Sequence, residues 1–159
     1  MPLSGYRYTR EQLPEMILAR FFPEKTEHET KLLIEYLRDF GAGYDSMMVS
    51  AKIGEGAPPD PSHLPGVQRQ TVEVSKRRID FIGWRGAQPV IVELKTRAGA
   101  HVLGQLIADR DIWRAERPED PEPELVAVGR FGTEEELRVL TQRGITVILY
   151  PEAPAAAPA

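Results

Sequence analysis

Two apolar segments flanking one short turn constrain this 159-residue chain more than any other feature. Residues 78–84 and 89–94 are rich in Ile, Val, Phe and Trp. Between them lie Arg85-Gly86-Ala87-Gln88, where Gly86 can take the positive φ of a tight hairpin. A turn centred on Gly86-Ala87 pairs residues whose numbers sum to 173, so Trp84 faces Pro89 and Asp80 faces Glu93. Strand alternation then puts Asp80, Ile82, Trp84, Ile91, Glu93 and Lys95 on one face, and Ile79, Phe81, Val90, Val92 and Leu94 on the other. Both faces are mainly apolar, which predicts a sheet covered on both sides. A turn longer by one residue would flip the faces.

Two carboxylates side by side in a covered site repel each other and lose hydration. The cost is about several kcal/mol unless a cation or a proton lies between them. Oxygen donors suit a hard divalent ion such as Mg²⁺, which keeps several waters and takes one or two protein carboxylates. Lys95, two residues beyond Glu93 on the same face, is within reach of a phosphate or an attacking water. A structural cross-strand salt bridge uses the same residues without a metal, and the hairpin alone leaves both readings open.

Length suits one domain with a sizeable core, over residues 1–150, and 42% hydrophobic with 28% charged residues is ordinary for a globular chain. No run of about 18 apolar residues predicts a membrane span. The N-terminus lacks the basic-then-apolar pattern of a signal peptide, so the expectation is a cytoplasmic protein. The absence of cysteine removes thiol catalysis and cysteine-ligated metal sites. Net charge is −4, which argues against nonspecific coating of nucleic acid, but its distribution is uneven. Val67–Arg114 holds nine Arg/Lys against five Asp/Glu, a local +4 around the hairpin. Arg69, Lys76, Arg77, Arg78, Arg85 and Arg97 are therefore candidate phosphate contacts.

Thr9-Arg-Glu-Gln12 and Thr26-Glu-His-Glu29 fit the capping-box pattern and predict two N-terminal helices. The second, about 27–40, carries Leu33, Tyr36, Leu37 and Phe40 on one stripe, with Glu29 near its middle and Glu35 well off it. Residues 46–53 read as a strand, 54–66 as a loop rich in proline and glycine, and 67–75 as a further strand. A helix is predicted over about 101–115, with Val102, Leu103, Leu106 and Trp113 toward the core and His101, Gln105 and Asp109 along its flank. After an acidic, proline-rich linker at 117–124, a strand at 125–128, a helix at 133–143 and a strand at 145–150 predict a parallel β-α-β unit. Residues 151–159 read as a disordered Pro/Ala tail. Trp84 and His101 are read as packing and surface residues.

Helix, three strands, helix, strand, with Asp80 on one hairpin strand and Glu93-x-Lys95 on the next, resembles the PD-(D/E)xK, or restriction-endonuclease-like, superfamily. Val90-Ile-Val-Glu-Leu-Lys-Thr96 followed by Gly104-Gln-Leu is similar to archaeal Holliday-junction resolvases and NucS/EndoMS-type nucleases. The chain departs from them in carrying Asp109 where a tyrosine is common and Ile79 where a proline is common. The resemblance implies an α/β fold: an αβββαβ core, a mixed central sheet flanked by helices, and one extra N-terminal helix. It implies Asp80, Glu93 and the Leu94 carbonyl as ligands of Mg²⁺ or Mn²⁺. Lys95 would orient or deprotonate water, with Gln105 as an active-site helper and Glu29 as an acid from the first core helix. The activity implied is metal-dependent hydrolysis of DNA phosphodiesters in repair, recombination or defence, leaving 5′-phosphate and 3′-hydroxyl ends, and a homodimer would suit cutting of two strands. The alternatives are an inactive nuclease-fold DNA-binding subunit of a larger complex and a metal-free interaction domain.

Overall fold

The computed structural model describes residues 3–152. Most of the predicted tail, residues 153–159, lies outside the described residues. The backbone forms one six-stranded sheet in the order β1-β2-β3-β4-β5-β6. Its strands are β1 (Ser4–Thr9), β2 (Ser46–Ile53), β3 (Arg77–Arg85), β4 (Gln88–Leu94), β5 (Glu124–Gly129) and β6 (Ile145–Leu149). The first four pair antiparallel, and β4-β5-β6 pair parallel, so the sheet is mixed. The helices are α1 (Leu13–Ile17), α2 (Glu27–Phe40), α3 (Pro65–Ser75), α4 (Ala100–Glu116) and α5 (Glu134–Gln142). From α2 to β5, with α3 set aside as an insertion, the order is the expected αβββαβ.

Local chemistry explains most boundaries. In α2 the Thr26 hydroxyl accepts the Glu29 N–H at 3.1 Å, and the Glu29 carboxylate accepts the Thr26 N–H at 2.8 Å. Thr133 and Glu136 start α5 in the same way. The hairpin register is the predicted one, with Trp84 opposite Pro89 and Phe81 opposite Val92, and Gly86 supplies the positive φ of 59°. One side of the sheet packs Met47, Val49, Phe81, Val90, Val92 and Leu94 under α2, whose Leu33, Tyr36 and Leu37 are buried. The other packs Met48, Ile82, Ile91, Leu125 and Ile145 under Val102, Leu106 and Trp113 of α4 and Leu140 of α5.

Three expectations are corrected. Residues 67–75 are not a strand: they lie in α3, an 11-residue helix with no buried residue. The valines at 72 and 74 alternate as a strand would, but β1 and β3 already occupy both edges of β2, and Pro65 is preorganised for the first turn of a helix. The N-terminal segment contributes an edge strand, β1, before a 3₁₀ turn at Arg10–Gln12 and the five-residue α1. Ile79 joins the cluster of Ile82 and Ile91, not that of Phe81. Both strands step over at one place, since Met48 and Ala51 likewise share a face across Ser50 while the pairing Val49–Phe81 and Ala51–Ile79 keeps register.

Candidate active site

Asp80 lies where β3 and β4 part. The ladder's last pair is Phe81–Val92, and beyond it the Asp80 side chain replaces backbone as the acceptor for Leu94 N–H, Oδ2 to N 2.8 Å. The other carboxylate oxygen, Oδ1, is 2.7 Å from Lys25 Nζ. Glu93 is the next residue of β4; the ladder ends before it could pair with Asp80, but the two carboxyls still lie within hydrogen-bonding reach, and Asp80, Glu93 and Asp109 are 7%, 6% and 1% exposed. Burial, then the charges of Asp80 and Asp109, then a hydrogen bond with Asp80 push the Glu93 carboxyl up to about 9, with Lys25 opposing. Asp109 is pushed up to about 6 by burial, against the pull of Arg77, whose Nε lies 2.9 Å from its Oδ1.

Lys25, Asp80, Glu93, Asp109 and Arg77 therefore form a run of alternating and like charges across the end of the sheet. With one proton on Glu93 the run is neutral. Sequence reading missed two of its members. Asp109 falls among Val102, Leu106 and Trp113, the other buried residues of α4, so it belongs to the inward stripe and not to the flank. That polar residue on an apolar stripe was the available signal. Lys25 carries none, since it lies 55 positions from Asp80 and is brought there by the turn before α2.

The remaining predicted residues divide. Lys95 follows β4, is exposed, and makes no ion pair among the described residues. Its N–H donates to Val128 O at 3.0 Å, which ties the residue's backbone to β5. Gln105, one turn from Asp109, has a buried Oε1 without a hydrogen-bond partner among the described residues, and its carbonyl faces Arg77 Nη2 at 3.5 Å. Glu29 is engaged in the α2 capping box. Of the candidate phosphate contacts, Arg77 is turned to Asp109, while Arg78, Lys76 and Arg97 pair with Glu24, Glu73 and Glu136 at 3.4, 2.6 and 2.8 Å. Arg85 pairs with Glu124, and Arg69 makes no ion pair among the described residues. Arg78, Arg85 and Arg97 are exposed in these pairs, which therefore contribute little stability and leave the cations exchangeable toward phosphate, whereas Lys76 is half-buried. Trp84 packs against Trp113, with ring centroids 6.4 Å apart, and His101 is exposed, as predicted.

Solved structures similar to this chain include a repair endonuclease from Pyrococcus abyssi, 18% identical with a TM-score of 0.49, over 84% of this chain and 50% of that one. EndoMS in a complex with double-stranded DNA is also 18% identical, with a TM-score of 0.44, over 85% of this chain and 51% of that one. The chain spans about half the length of these structures. No protein-family model and no curated protein sequence matches the chain. The chemistry of the site rests on its own residues.

Those residues fit a hard divalent ion by donor type. Asp80 and Glu93 are buried oxygen donors in need of positive charge, two carboxylates suffice for Mg²⁺, and Gln105 Oε1 is an acceptor left without a donor. Among the described residues no group of three His, Cys, Asp or Glu side chains is arranged to hold a metal. No described helix is long and apolar enough to cross a membrane.

Proposed function

We propose that the chain is a metal-dependent nuclease that hydrolyses DNA phosphodiester bonds, with Mg²⁺ or Mn²⁺ held by Asp80, Glu93 and the Leu94 carbonyl. The observation that carries this reading is the burial of Asp80 beside Glu93 at the point where β3 leaves β4, with Lys95 exposed just past the strand. A divalent ion would activate water and offset charge on the phosphoryl oxygen. The protein's own part is to fix both carboxylates, through the Leu94 N–H and the strand backbone, and to exclude bulk water from them. Lys95 is free to meet the scissile phosphate and to orient the attacking water. Arg69, Arg78 and Arg97 supply exchangeable cations for the flanking phosphates, whereas Arg77 holds Asp109 in place.

Purified protein with Mg²⁺ or Mn²⁺ is expected to cut DNA from a panel of branched, mismatched, duplex and single-stranded substrates. Lys95→Ala or Glu93→Ala is expected to lower the rate by at least a hundredfold. Cutting that survives both substitutions would reject the assignment. A second reading, an inactive nuclease-fold DNA-binding subunit, is favoured by one observation: Asp80 is already neutralised by Lys25. DNA binding without metal uptake or cleavage would select it.

A further inference from the structure

The contact between Lys25 and Asp80 is built on unusual backbone. Among the described residues, the non-glycine residues with positive φ are Glu24 at 59° and Ser50 at 54°. Both belong to this contact. Glu24 is the third residue of a turn closed by Lys25 N–H on Phe22 O at 3.2 Å, with Pro23 second, and its φ of 59° makes the turn type II, the form that requires positive φ at that position. The Ser50 hydroxyl donates to Pro23 O at 2.9 Å, and Ser50 lies in the strand register across from Asp80. Left-handed conformations in such residues persist only where their surroundings hold them. Phe22, buried in the α2-side core, anchors the turn, while Phe21 and Leu18 before it are exposed.

The Lys25 side chain is 2% exposed, and its ammonium has Asp80 as its ion-pair partner. Both Asp80 oxygens are thereby engaged, Oδ1 by the ammonium and Oδ2 by Leu94 N–H. A divalent ion bound by Asp80 needs one of them at roughly 2.0–2.1 Å, closer than the ammonium stands, and two cations on one carboxylate repel.

We propose that Lys25 is a built-in counter-cation of the acid pair that competes with a divalent ion for Asp80, so that the Phe22–Lys25 turn sets the metal affinity of the site. The proposal rests on the reading of Asp80 and Glu93 as a metal site. Its test is Mn²⁺ titration of chelator-treated protein without DNA, followed by calorimetry and by the electron paramagnetic resonance of free Mn²⁺. Lys25→Met is expected to bind Mn²⁺ at least tenfold more tightly than the wild type, and its melting temperature is expected to rise more on Mn²⁺ addition. In the Asp80→Asn background the same substitution is expected to change nothing. Lys25→Gln, which keeps a polar head without charge, provides the comparison if Lys25→Met does not fold. Equal or weaker binding by these variants, with the wild type binding Mn²⁺, overturns the role of Lys25 and leaves the metal site standing. No Mn²⁺ binding by any of the proteins overturns both.

Discussion

Glu93 shows most directly how a side chain's chemistry follows from its place in the sheet. In water its carboxyl would ionise near 4.5, but behind the β3–β4 junction it ionises at about 9. The folded state therefore holds a proton that the unfolded state releases, and stability is full below about pH 4.5 and falls as pH rises toward 9. Asp109 adds the same sign over a lower window, from about 3.8 to about 6. Urea denaturation in a chelator is expected to show wild-type stability declining from pH 6 to pH 9. Glu93→Gln, which cannot ionise, is expected to flatten that decline. Gly129 is the second residue whose identity the site demands: a Cβ there would meet the Lys95 carbonyl at 2.6 Å, and backbone cannot step aside. Gly129→Ala is expected to cost about 1–3 kcal/mol in the same assay.

Elements differ in how firmly the fold holds them. The α2 capping box uses Glu29 in a way that glutamine can reproduce, so Glu29→Gln is expected to preserve the melting temperature. If cleavage also persists in that variant, Glu29 caps its helix and has no part in the chemistry. Helix α3 has no buried residue, and it joins the proline-rich loop to the Asp80 strand. Its local stability is low because helices of this length depend on packing. Gln70→Pro is expected to leave the global melting temperature within about 2 °C, because the roughly 3 kcal/mol local penalty falls on an element the core does not need. Limited proteolysis within 60–75 should accelerate in parallel.

For the whole molecule, the uneven charge sets the terms of the proposed DNA binding. A nuclease of net charge −4 would approach DNA through its local basic excess, so on the proposed reading affinity is expected to fall steeply with salt, by a log–log slope of roughly −0.9 per phosphate neutralised on duplex DNA. Arg69→Ala, which removes a cation without breaking an ion pair, is expected to lower the slope by about one. The hairpin register, the boundaries of α2, α4 and α5 and the parallel closing unit were legible because each is written in neighbouring residues: a glycine turn, a capping box, a periodic stripe. Helix α3 and strand β1 were not, because the availability of a sheet edge, absent for one and present for the other, is not a local property. The facing of Asp80 toward Glu93 could be read from the pairing of β3 with β4. The neutralising partners could not, since Lys25 and Arg77 reach their acids across 55 and 32 positions. Sequence by itself determined which acids lie on the central strands and in which register. Tertiary structure decided how their charge is balanced, because electrostatics acts through distance and burial, and neither is set until the chain has closed on itself.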